Sequence, residues 1–169
     1  SEIEFLRQPL ERIFRAEVRF AEPVPMPAEA YDAGRRQYLS NIVLDYLRRN
    51  MKPPARGRVL AVTNQDLTVS NMNFVFGQAD LSNGIAIISL ARLQPEFFGQ
   101  HADRELFETR AITEAVHELG HTFRLDHCPN SRCVMFFSNT LQDTDKKGFA
   151  FCESCRNELA SRMSALSAE

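Results

Sequence analysis

The chain has 169 residues, 44% of them hydrophobic and 25% charged, with a formal net charge of −2. That length and mixture fit one globular domain with a real core and exclude a strongly basic nucleic-acid or membrane-surface binder. No apolar run approaches the roughly 20 residues that cross a bilayer, and no stretch at the start reads as a signal peptide. A cytoplasmic monomer is therefore the expectation, in a compartment where structural disulfides are rare.

In chain order, Ile3, Leu6, Leu10, Ile13 and Phe14 recur at helical spacing and predict an opening amphipathic helix, which Pro9 bends or restarts. AEVRF (16–20) alternates and predicts a short strand, and AEPVPMP (21–27), with three prolines, an extended loop. Leu39, Ile42, Val43, Tyr46 and Leu47 predict a second helix from Ala28 to Met51, ended by KPPARG (52–57). RVLAVTN (58–64), MNFVFGQAD (72–80) and GIAIISLARL (84–93) predict strands separated by short polar turns. A third helix follows over 103–123, then an irregular stretch to about Cys152, then a last helix carrying Leu159, Met163 and Leu166. This order predicts one mixed α/β domain with a C-terminal, metal-stapled lobe.

The chemistry concentrates in HELGHTFRLDHC, residues 117–128. Residues four apart share a helix face, so His117 and His121 can converge on one ion. Glu118 is rotated from His117 by about 100°, beside the ion without having to bind it. A zinc there lowers the pKa of water to about 7, and a carboxylate takes its proton. The plainer alternative is a helical face with two solvated histidines.

On a continuous helix His127 would lie about 9 Å beyond His121, out of reach of a bond near 2 Å. It becomes a third ligand only if the helix ends and the chain doubles back. Glycine is the natural residue at such an end, yet Arg124 stands at the turning point. A left-handed non-glycine residue costs roughly 1–2 kcal/mol, which metal bonds can outweigh. The alternative is a helix that runs on to a solvated His127. No tyrosine follows Met51, so a downstream tyrosine cannot stabilise an oxyanion.

All four cysteines, Cys128, Cys133, Cys152 and Cys155, lie in the same quarter of the chain as C-x4-C and C-x2-C pairs. Four thiolates close a tetrahedral shell around a structural zinc; two disulfides are the alternative. Because Cys128 follows His127 directly, this site would brace the backbone that presents the third histidine. His101 reads as a surface residue. Phe136 and Phe137 read as core, with a substrate pocket as the second option.

These residues, with CVM at Met135 and CESC, resemble the archaemetzincins, whose signature is HExxHxxGxxHC-x4-C-x-M-x17-C-x2-C. The signature spans 117–155, and NFVFGQA, ISLARL and PAEAYDAGRRQY extend the similarity over most of the chain. The resemblance implies an α/β (α+β) metzincin-like fold: a twisted mixed sheet, an active-site helix and a zinc-stapled lobe. The division would fall between an N-terminal subdomain, 1–124, and a C-terminal one, 125–169. It implies a zinc-dependent metallopeptidase, a hydrolase acting on a peptide or protein substrate, with two zinc ions per chain. The catalytic zinc would sit on His117, His121 and His127, with Glu118 as general acid/base and Met135 in the turn beneath the metal. The structural zinc would sit on Cys128, Cys133, Cys152 and Cys155.

The resemblance also suggests GIAIISL (84–90) as the rim edge strand, with Gly84, Ile85, Ala86 and Ile87 pairing an extended substrate. An ordinary half-buried strand is the alternative for that segment. Arg124 departs from the signature glycine, the last spacer has sixteen residues instead of seventeen, and a short strand that leads the first helix in relatives is not seen here. Arg124 motivates a rival reading, a zinc-stabilised peptide-binding module with little or no catalysis. A third is a metal-dependent hydrolase of a non-peptide amide.

Overall fold

Residues Ile85–Ser89 are apolar or small at every position, the pattern of a strand covered on both faces. In the computed structural model, which describes residues 2–168, this strand is the middle of a mixed sheet. The elements in chain order are α1 (Arg7–Phe14), β1 (Tyr31–Asp32), β2 (Gln37–Leu39), α2 (Ser40–Asn50), β3 (Val59–Thr63), β4 (Leu67–Thr68), β5 (Gly77–Asp80), β6 (Ile85–Ser89), α3 (Arg104–Thr122), α4 (Leu141–Lys147) and α5 (Glu153–Ala168). The main sheet runs β3-β6-β5, with β3 parallel and β5 antiparallel to β6. Strand periodicity sorts the core. Ile85 and Ile87 pack toward Val43, Leu44 and Leu47 of α2, whereas Ile88 joins a cluster with residues of α1 and α3 and with Val134, Met135 and Leu159.

Helix α3 is covered nearly all round, being buried almost continuously from Arg110 to Thr122. Small residues at Ala111, Ala115 and Gly120 let its neighbours approach closely. Asp103 caps it, accepting the amide N–H of Leu106 at 3.0 Å. Pro9 does not break α1 because it lies in the first turn, where a missing N–H leaves nothing unpaired. Among the described residues no helix is long and apolar enough to cross a membrane.

The structure corrects several expectations. Residues 16–20 form no strand: the Val18 N–H donates to Glu11 and its carbonyl accepts from Arg7, so α1 side chains take the groups a partner strand would use. The second helix begins at Ser40, not Ala28. Residues 31–39 instead form a hairpin whose β2 pairs in parallel with β4, a strand too short to read from sequence. Residues 72–76 precede β5, with Val75 bridged to Leu67. Helix α4 was not expected at all. Its start is a capping box in which Thr140 accepts from the Asp143 N–H and the Asp143 carboxylate accepts from the Thr140 N–H.

Candidate active site

Helix α3 stops because its last carbonyls are taken by a reversed chain. The Arg124 N–H donates to the His121 carbonyl at 2.8 Å and the Leu125 N–H to the Gly120 carbonyl at 3.2 Å. This is the double-bonded cap that places its reversing residue in the left-handed region, and Arg124 adopts φ 63°. Leu125, buried beyond the turn, supplies the apolar contact that accompanies such a cap. We expect Arg124→Gly to raise the melting temperature by about 1–2 °C, since relief of roughly 1 kcal/mol of strain exceeds glycine's added unfolded-state freedom by about 0.5 kcal/mol. A calorimetric melt of both proteins checks this; an unchanged or lower temperature would contradict a strained turn.

The reversal brings the three imidazoles together. His121 Nε2 lies 3.2 Å from His117 Nε2 and 3.2 Å from His127 Nε2. Ligands held tetrahedrally at about 2.05 Å from zinc are about 3.3 Å apart, so the donor set fits that ion. The outer nitrogens are tied down: His117 Nδ1 meets the Val134 carbonyl at 2.7 Å and His121 Nδ1 the Leu125 carbonyl at 2.8 Å. Donation there leaves each Nε2 with its lone pair facing the common point. Burial holds His117 well below the usual imidazole range, helped by the positive charge of Lys147; burial also lowers His121 and His127. Neutral, lone-pair-bearing rings at pH 7 are what a metal requires.

Glu118 is buried beside this cluster. Burial pushes its carboxyl well above the usual range, the neighbouring Glu114 adds to that, and Lys147 partly offsets it. Strand β5 makes room for it: a Cβ on Gly77 would sit 2.6 Å from Glu118 Cγ and 2.8 Å from the Ile87 carbonyl. Met135 is fully buried, and its Sδ lies where a Cβ on Gly120 would fall, 2.5 Å away. Both glycines are therefore required by close approach, not by turn geometry.

Helix α4 closes the other wall. Arg110 grips Asp145 with two bonds of 2.7 and 2.8 Å, docking α4 on α3. Thr144 donates to Glu114 at 2.9 Å, and the fully buried Lys147 ammonium lies 3.6 Å from Glu114 while donating to the Phe136 carbonyl at 3.0 Å. Local spacing marks neither residue as part of the site: Lys147 depends on α4, whose start the Thr140-to-Asp143 spacing signals, and Glu114 joins through its contacts with α4. The resulting cleft, about 340 Å³, runs between residues 71–77 on one side and Glu114, His117, Glu118, Phe137 and Lys147 on the other.

Strand β6 does not rim this cleft. Its two edges are occupied by β3 and β5, and Ile85, Ala86 and Ile87 are buried. The expected substrate pairing at Gly84–Ile87 is therefore corrected: an inner strand has no free backbone groups to offer. The cleft-side segment is Asn71–Gly77, leading into β5. Phe137 is exposed over the cleft with its ring 5.0 Å from that of His127, whereas Phe136 is half-buried. His101 is exposed and belongs to neither of the clusters that could hold a metal ion.

The four cysteines are free thiols whose sulfurs lie within 4.8 Å of one another. Cys128 Sγ and Cys152 Sγ are 3.8 Å apart, the edge of a tetrahedron with zinc–sulfur bonds of about 2.3 Å. An N–H bond from Cys155 and bonds within the cluster draw Cys152 down to about 7, while burial pushes Cys133 and Cys155 up. Cys128 is locked to the Met135 segment, its N–H donating to the Met135 carbonyl at 2.9 Å. The residue next to His127 thus ties both clusters to one stretch of backbone.

Comparison with known proteins agrees with this geometry. Residues 23–161 match the description Peptidase family M54. The chain belongs to peptidase family M54. This M54 chain is 46% identical over 144 residues to the archaemetzincin of Pyrococcus furiosus, covering 83% of itself and 73% of that relative. It is 41% identical over 157 residues to the archaemetzincin of Archaeoglobus fulgidus, covering 93% and 90%. The crystal structure of Methanopyrus kandleri archaemetzincin superposes with a TM-score of 0.85 at 37% identity, covering 97% of this chain and 87% of that one. The M54 chain is a zinc metallopeptidase, a hydrolase with a mixed α/β fold, and its His and Cys clusters are groups that can bind zinc.

Proposed function

We propose that this M54 peptidase hydrolyses peptide bonds in the cleft beneath residues 71–77, using His117, His121 and His127 to hold a catalytic zinc and Glu118 as general acid/base. A second, structural zinc belongs on Cys128, Cys133, Cys152 and Cys155. The observation that carries this reading is the meeting of three Nε2 atoms, two of whose rings, His117 and His121, are anchored through backbone carbonyls, with a buried carboxylate alongside.

A zinc ion bound there would polarise the scissile carbonyl and make water a nucleophile near neutral pH. The protein's own groups do the rest. Glu118, whose carboxyl burial raises above its usual range, is placed to take a proton and return it to the leaving nitrogen. An extended peptide would pair with the backbone groups left open along the Asn73–Asp80 segment, where the Asn73 carbonyl already accepts from Gln37 and Val75 is bridged to Leu67. Ser138 Oγ, buried in the cleft wall with no hydrogen-bond partner among the described residues, is available to a substrate group. The rival binding-module reading needs Arg124 to distort the third ligand, and a capped turn that leaves His127 Nε2 3.2 Å from His121 Nε2 does not favour it.

Mass spectrometry of a mixed peptide library incubated with the zinc-loaded protein tests the proposal. We expect defined internal cleavage that a brief chelator treatment abolishes and added zinc restores. Intact peptides in every condition would refute it.

A further inference from the structure

At the C-terminal end of α3, away from the catalytic cleft and sharing no lining residue with it, lies a second groove of about 590 Å³. Its charged lining residues are Arg58, Arg124 and Arg162, accompanied by Ser82 and Asn83, and no Asp or Glu lines it. We propose that this groove binds an oxyanion of the phosphate class, carried by a small organic ester.

Three observations support it. First, Arg58 is held in place. Its Nε donates to the Thr122 carbonyl at 3.2 Å, one Nη to the Gly57 carbonyl at 2.8 Å, and its guanidinium lies 4.4 Å over the Phe123 ring. Only two of its five N–H groups are used by those carbonyls, so a fork remains on a stacked, oriented guanidinium. Second, neither Arg58 nor Arg124 has a carboxylate partner among the described residues; Arg162 alone is paired, with Glu158 at 3.1 Å on an exposed face. Burial and the proximity of Arg124 both disfavour the charge on Arg58, a conflict that an anion between them would relieve. Third, this local excess of positive charge sits on a chain whose net charge is −2, so bulk charge does not explain it.

The size of the groove selects the ligand class. It exceeds a bare phosphate and reaches the range of small-molecule pockets. Phe123, Leu81 and Leu166 supply an apolar flank for an organic stem. Arginine forks suit the tetrahedral oxygens of a phosphate ester. Arg124 is three residues from both His121 and His127, so an occupant would also clamp the turn that presents the third imidazole.

The test is calorimetric titration of the zinc-loaded protein with glycerol 3-phosphate and with inorganic phosphate at physiological salt. Saturable one-site binding is expected, tighter for the ester. Arg124→Gly should weaken it about tenfold or more, as loss of one charge-assisted fork implies. That substitution suits the left-handed turn, so a retained cooperative melt separates lost binding from lost folding. Arg162→Gln should weaken binding less, and Arg104→Gln, at the opposite end of α3, should leave it unchanged. Absence of saturable binding would overturn the proposal. So would equal affinity in Arg124→Gly, which would place the anion elsewhere, including on the catalytic metal. A glutamate oligopeptide binding as tightly as the ester would overturn the choice of ligand class.

Discussion

Replacing Glu118 with alanine should lower kcat/KM by about 10²–10⁴-fold while leaving the zinc content at its parent value. The separation of the two effects follows from geometry. Glu118 contributes no atom to the histidine cluster, whose rings are positioned by the Val134 and Leu125 carbonyls and by the turn at Arg124. Its side chain instead packs against Gly77, where a Cβ would sit 2.6 Å from Glu118 Cγ. Truncation therefore removes a proton acceptor and a buried acid without disturbing the ligands. Because burying a carboxylate is costly, Glu118→Ala should also melt at the same or a higher temperature. Peptide turnover with metal analysis on the same preparation checks both halves. Undiminished turnover would remove Glu118 from the chemistry, and a loss of zinc would make it a structural residue.

Cys133→Ser is expected to have the largest effect on stability. Structural zinc contributes on the order of 10–16 kcal/mol to the folding of small zinc-dependent units, and serine is a poor replacement for a buried thiolate ligand. Cys133 is completely buried and accepts the Cys152 N–H at 3.3 Å, so it joins the two halves of the cluster. Its loss should release the segment between the two cysteine pairs. Since the Cys128 N–H is bonded to the Met135 carbonyl, that release should reach His127 and the methionine under Gly120. A fall in melting temperature of more than roughly 10 °C is expected, together with weakened retention of both ions. Differential scanning calorimetry and elemental analysis provide the measurements. A parent-like melt with parent-like zinc would show that the thiols are not the scaffold.

The side chains that could hold metal were legible because they are local. His117 and His121 are one helical turn apart, and their convergence needs only the period of the helix. The reversal before His127 follows from the same reach argument: no continuous helix can bring that ring back to the others. The left-handed conformation at Arg124 was readable at an unfavourable residue for that reason. The clustering of four cysteines in two close pairs was equally readable, since thiol chemistry and spacing are properties of the chain.

What only the tertiary structure decided was sheet order and everything that depends on it. The run Ile85–Ser89 declares that both faces are covered, but a pattern of faces carries no information about edges. Occupied edges on β6 moved the cleft-side segment to the residues leading into β5. The strand expected at 16–20 failed for a related reason: extended propensity needs a partner, and α1 side chains reached the backbone first. Lys147, Glu114 and Gly77 joined the site through contacts spanning 30 or more positions, which no local period encodes. Sequence spacing determined which groups this protein can use; long-range packing decided which of them share a cleft, because pairing and burial between distant segments are set only when the whole chain closes on itself.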